Sequence, residues 1–260
     1  MNLKKILTTI LFLNITVFFA QKNNLCGEIN YKQIKNISKI YEQNFIMKFS
    51  NKQSLYEEIN IKKSNNKIDE KSSKKGMTET VSIGRTNTIS HFFFNNKSGF
   101  YFRDIFLNEV LLVKEDEFKW NWSLQQDTKK IGNFICQKAT IKFRGRNYIA
   151  WFTNEIPVKF GPWKFQGLSG LILEVYDEDK VFHIIANRIK LGKNNCSFDI
   201  NTKELENAMT LNSYLDKKEE LIDEMFTKMS SKRPKGTKPF KRDKNCKDCS
   251  NEIEIFNEKN

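Results

Sequence analysis

Histidine is nearly missing: the 260-residue chain has two, His91 and His183. That all but excludes multi-histidine metal chemistry and leaves a histidine-dependent triad two starting points. Neither an H-E-x-x-H pattern nor a nucleophile elbow is present. Beyond residue 20 no stretch is apolar enough to span a membrane. Proline (four) and glycine (11) are sparse, whereas phenylalanine reaches 22. Aromatics make up 13% of the chain, which excludes a wholly disordered polymer and requires a core. The length fits one domain of generous size, or a domain with long insertions.

Lys4 and Lys5 precede a short apolar run at 6–20 (ILTTILFLNITVFFA), followed by a polar stretch from Gln21. That layout is a secretory signal peptide, predicted over residues 1–20. Ala20 suits the last position before cleavage, although Phe18 stands where a small residue is preferred. The alternative is an uncleaved N-terminal anchor. Cys26 follows Asn23-Asn24-Leu25, which does not suit lipidation. The protein is therefore expected to be exported, to the periplasm, the outer membrane or the outside, with no transmembrane span in the mature chain.

Export favours paired thiols. Cys26, Cys136, Cys196, Cys246 and Cys249 are odd in number, so at least one stays free, pairs between chains or is lost. Cys246 and Cys249 form the one close pair and are a candidate local disulfide. A structural zinc site would need a second pair, and a thioredoxin-type site a strand before the first cysteine; a Pro/Lys linker precedes it instead. No metal and no cofactor are expected. The net charge of +13 is spread along the chain rather than gathered on one segment, so nucleic acid is not the expected partner.

Residues 27–60 hold two candidate strands, at 37–50 and 56–61. Residues 62–75 are polar and read as an exposed loop. A strand pattern at 79–83 follows. Then 91–94, 99–103, 109–113, 118–123, 134–143, 147–152, 171–176 and 181–189 are each rich in aromatic and β-branched residues. Arg144-Gly145-Arg146 and Asp177-Glu178-Asp179 suit hairpin turns; the latter has Ca²⁺ binding as its functional alternative. Asn201 to Glu204 has the spacing of a capping box. Leu211, Tyr214, Leu215, Leu221, Ile222, Met225, Phe226 and Met229 mark an amphipathic helix packed on the sheet. The domain is thus predicted over 21–230, with a flexible tail at 231–260.

The most distinctive stretch contains Gly161-Pro162-Trp163-Lys164-Phe165 and Gly167-Leu168-Ser169-Gly170-Leu171-Ile172. Gly161-Pro162 is a turn, Trp163 and Phe165 flank Lys164, and the later glycines permit a tight loop. These residues resemble the GLPGLI family of exported bacterial proteins, with Ser169 in place of the motif's proline. The resemblance implies no catalytic residues. A related-looking domain accompanies a glycan-releasing amidase domain in some secreted enzymes, which implies a binding or accessory role. Trp163, Phe165, Gly167, Leu168 and Gly170 are accordingly the candidate binding loop. The same residues also read as a strand-to-strand corner with an aromatic plug, and glycine, proline and aromatics at turns favour that structural reading.

The fold class expected is α+β: a curved antiparallel sheet, of half-barrel form in one topology, with a C-terminal amphipathic helix. The function expected is non-enzymatic binding of a lipid, glycan or envelope protein. A hydrolase using paired carboxylates and a thiol-disulfide protein using Cys246 and Cys249 are the alternatives.

Overall fold

In a computed structural model, described here over residues 25–37, 39–59, 91–96, 99–116, 118–192, 198, 200–234, 236–238 and 253–256, the chain forms one open 12-stranded sheet. The strands are β1 (Cys26–Ile37), β2 (Lys39–Phe49), β3 (Ser54–Glu58), β4 (Phe92–Asn96), β5 (Gly99–Phe106), β6 (Glu109–Glu115), β7 (Ser123–Ile131), β8 (Phe134–Phe143), β9 (Arg146–Thr153), β10 (Leu171–Asp177), β11 (Phe182–Gly192) and β12 (Met209–Thr210). Two helices follow the long strands, α1 (Thr202–Leu205) and α2 (Leu211–Ser231).

The spatial order is β12-β6-β5-β4-β3-β2-β1-β11-β10-β9-β8-β7. All pairings are antiparallel except the two-residue β12–β6 contact. β1 sits centrally, between β2 and β11, and joins the two halves.

The order forces curvature. β6 and β7 stand ten spacings apart in the sheet, about 48 Å if it were flat. Residues 116–122 alone connect them, and eight extended steps reach about 28 Å at most. The sheet must therefore curl until its two sides approach. The curl is filled with side chains. Ile29, Tyr31, Phe45, Met47 and Phe49 of one half and Phe143, Tyr148, Ala150, Phe152, Val175 and Phe182 of the other lie in a single core cluster. Buried Tyr31 Oη donates to the Ile172 carbonyl at 2.7 Å, tying β1 to the start of β10.

Local chemistry explains the turns. Arg144 and Gly145 both have positive φ (47° and 76°), as a two-residue hairpin loop requires. At the β10–β11 turn, Asp177 is buried and ligated within the protein: Oδ1 accepts the Phe182 N–H at 2.6 Å, and Arg146 lies 3.2 Å from Oδ2. α2 is capped by Thr210, whose hydroxyl accepts the Ser213 N–H at 3.2 Å. It buries Tyr214 and Leu221 against Phe102, Leu111 and Val113 of β5 and β6. Among the described residues, no helix is long and apolar enough to cross a membrane.

Four expectations change. Residues 118–122 alternate like a strand but run outside the sheet, because this stretch must carry the chain across the curl; β7 begins at Ser123 instead. β1 was not foreseen as a strand: its inward series of Ile29, Tyr31 and Gln33 is only partly apolar. Asn201 precedes α1 without a side-chain cap, so no capping box forms. The tail is not uniformly loose, since residues 253–256 lie against the β8–β9 turn: Ile255 N–H donates to the Arg144 carbonyl at 3.0 Å, and Arg146 Nε donates to the Ile253 carbonyl at 2.8 Å. The predicted signal segment 1–20, the loop 62–75, the strand 79–83 and the pair Cys246 and Cys249 lie outside the described residues.

Cys26 is disulfide-bonded, whereas Cys136 is free, fully buried and pushed up by burial to about 11. Alkylation at pH 8 followed by mass spectrometry is expected to leave Cys136 unmodified in the native protein and to label it on denaturation. Rapid native labelling of Cys136 would contradict this placement.

Candidate functional site

Residues 154–170 leave the sheet after β9, turn inside the curl and return as β10. The turn depends on close approach. A Cβ on Gly170 would sit 2.0 Å from the Thr153 carbonyl oxygen, and one on Gly161 would sit 2.8 Å from both Ile172 Cδ1 and the Phe165 carbonyl oxygen. Trp163 takes a left-handed φ of 57°, a costly conformation for a bulky side chain. The indole is held there by rings from several strands: its centroid lies 6.3 Å from Phe93 of β4, 6.0 Å from Phe143 of β8 and 5.1 Å from Phe182 of β11.

Between Trp163 and Phe165 stands Lys164, 3% exposed. Its ammonium lies 2.6 Å from Glu115 at the end of β6 and 2.9 Å from Glu254 of the C-terminal segment. The Phe102 ring faces it at 4.2 Å, a favourable cation–π position. Arg144 completes the cluster, 2.6 Å from Glu115 and 3.7 Å from Glu254. Two cations and two carboxylates thus balance inside the curl. Burial works to raise Glu115, but Lys164 and Arg144 outweigh it and hold the carboxyl below its ordinary range. For Glu254 burial prevails, and its carboxyl is raised. Two acids with opposite shifts flank one lysine, yet both are ligated by it, an arrangement suited to holding the corner in place.

Lys164 also lines two cavities. One, of about 420 Å³, is bounded by β1, β2, β4, β5 and α2. Tyr41, Phe93, Phe102, Phe106 and Trp163 supply its aromatic walls, and Arg103, Asp104, His91 and Lys218 supply polar groups. Asp104 accepts from Tyr214 Oη at 2.8 Å and lies 3.4 Å from His91 Nδ1. The other, of about 250 Å³, is bounded by β4, the crossing segment and the corner. Among the described residues, no group of three or more His, Cys, Asp or Glu is placed to hold a metal ion. The acidic turn at Asp177 gives its carboxylate to Arg146 and to the Phe182 N–H. His183, on the outer side of β11, lies 2.9 Å from Glu174.

The five loop residues singled out in the sequence separate here. Trp163 lines the larger cavity and Gly167 the smaller. Phe165 and Leu168 are core, and Gly170 is the close contact with Thr153. Sequence reasoning missed Glu115, Arg144 and Glu254. The signal that could have pointed to a buried site was a lysine set between two large aromatics, which needs an acid from elsewhere in the chain.

An open-sheet α+β domain with a buried charged corner and two clefts is the class that fold and site define. Residues 15–216 match the family described as N-glycanase peptide, N-terminal domain, and the chain belongs to that family. No curated protein matches it in sequence. Two solved structures of PNGF-II, in space groups P21 and C2, align at 17% identity with TM-scores of 0.48 and 0.47, each covering 74% of this chain and 32% of that one. An uncharacterized conserved protein from Thermus thermophilus aligns at 6% identity and a TM-score of 0.34, over 73% of this chain and 91% of that one. The chain thus spans about a third of the length of PNGF-II.

Replacing Lys164 by methionine leaves buried Glu115 and Glu254 with Arg144 as their one remaining cation among the described residues. Urea unfolding is expected to register a loss of about 3–5 kcal/mol; a loss under about 1 kcal/mol would contradict a paired, buried lysine. The two acids act with opposite sign on stability against pH. Glu115, lowered in the folded state, contributes above the ordinary carboxyl range, and that contribution is lost as pH falls through its lowered value. Glu254, raised, makes stability fall as pH rises from the ordinary range to its raised value. Glu254→Gln should therefore flatten the thermal-stability profile above the ordinary range, and Glu115→Gln should flatten it below. The reverse assignment would be wrong for this geometry.

Proposed function

We propose that this protein is an exported, non-enzymatic accessory module that binds glycan chains in the larger cleft. The observation that carries the reading is that cleft, whose aromatic walls and few polar groups match what a sugar offers: apolar ring faces edged by hydroxyls. Membership of the N-glycanase N-terminal domain family supports glycan over lipid or protein as the ligand. The apolar run at 6–20 and the GLPGLI-like corner support export. No catalytic residue is assigned, because the acids of the corner are bonded to Lys164 and Arg144.

Isothermal titration of the protein with an N-linked glycopeptide tests the reading, with mass spectrometry of the glycopeptide afterwards. Binding without glycan release is the expected result. A Tyr41→Ala/Phe106→Ala variant, altered at the cleft wall, should bind more weakly by about tenfold or more with the melting temperature retained. Absence of binding to any N-glycan, or hydrolysis of the glycopeptide, would overturn the proposal.

A further inference from the structure

The larger cleft is walled by the sheet, the corner and α2, with one addition. Ile253, Glu254 and Phe256, from the far C-terminal part of the chain, line it beside Trp163 and Lys164. Four contacts seat this short segment. Glu254 lies 2.9 Å from Lys164. The Ile255 N–H donates to the Arg144 carbonyl at 3.0 Å, and Arg146 Nε donates to the Ile253 carbonyl at 2.8 Å. The Arg144 guanidinium stands 4.5 Å from the centre of the Phe256 ring, a cation–π position. The hairpin turn beneath is shaped for close approach: a Cβ on Gly145 would sit 2.7 Å from Ile255 Cβ.

The segment adds to the corner rather than completing it. Lys164 and Arg144 each already lie 2.6 Å from Glu115. Ile255 faces solvent. The segment also stands outside residues 15–216, the part of the chain that matches the family domain. Docking has a cost as well: burial raises the Glu254 carboxyl, so the seated position disfavours its charged form. A sugar hydroxyl at Lys164 would give the ammonium an acceptor without burying an ion.

We propose that residues 253–256 are an autoinhibitory strap: docked on the β8–β9 turn, they occupy the corner end of the larger cleft, and a saccharide displaces Glu254 to reach Lys164. The proposal rests on the reading of the larger cleft as a glycan site and adds the regulation of that site. Observed affinity is then the intrinsic affinity reduced by the fraction of molecules whose strap is released.

The test titrates the full chain and two full-length variants with an N-linked glycopeptide, and follows amide exchange at Ile255 in the native protein. Glu254→Ala/Phe256→Ala removes the two side chains that seat the strap. Ile255→Pro removes the main-chain donor and leaves Glu254 and Lys164 intact, so it decides the matter if the double variant has a lowered melting temperature. Each variant is expected to bind the glycopeptide about tenfold more tightly. Saturating glycopeptide is expected to speed exchange of the native Ile255 amide by about tenfold or more. Glycopeptide binding that leaves Ile255 protected, with both variants binding no more tightly than the native protein, overturns the strap and leaves the glycan cleft standing. Failure of the native protein and both variants alike to bind overturns both.

Discussion

The structure depends on a buried ammonium. Lys164 joins the corner after β9 to Glu115 at the end of β6, positions 49 residues apart on opposite halves of a curled sheet. Such a pair adds little net stability, since desolvation of both ions offsets most of their attraction. What it fixes is position. The curl itself is required by the short crossing between β6 and β7, and its interior is filled by apolar side chains. Apolar packing is tolerant of sliding, whereas an ion pair with Phe102 against the ammonium permits one arrangement. Glu254 adds a second carboxylate from 90 residues away, so the C-terminal segment is tied to the same corner. That segment lies beyond the residues matched by the family, which end at 216.

Lys164 lines both of the clefts described above. A large hydrophobic residue at 164 would have continued the core between Trp163 and Phe165. A lysine instead brings Glu115 and Glu254 to the corner. The left-handed Trp163 belongs to the same arrangement: it points one ring into the core and turns the next side chain toward Glu115. Strain of this kind persists only where the surroundings over-determine it, and here rings from three strands do so.

Much of this fold was legible in the sequence. Strands with dense aromatic and β-branched alternation, such as β8 and β10, were found at nearly their observed limits, and the recurring apolar positions of α2 marked the one long helix among the described residues. β1 was not legible, since its inward face includes Gln33, a polar residue that is buried and accepts from Tyr56 Oη at 3.2 Å. The residues 118–122 misled for the opposite reason. Their alternation is real, but it points aromatic rings at the corner rather than into a ladder of strands. The corner was visible through its glycines and its resemblance to a known motif. Its chemistry was not, because the partners of Lys164 come from β6 and from the chain's end, and nothing local announces pairings over that distance.

The chain has four tryptophans, and each contributes one indole N–H signal to a nitrogen–proton correlation spectrum. Trp163 lines the larger cleft and Trp120 the smaller, Trp122 is bonded to the Gln166 carbonyl, and Trp151 lies under Lys129 on the other face of β9. Titration of an N-linked oligosaccharide into the labelled protein should shift the signal of Trp163 and leave that of Trp151 in place. Shifts confined to Trp151, or none at any indole up to millimolar sugar, would show that the larger cleft is not where this protein meets its ligand.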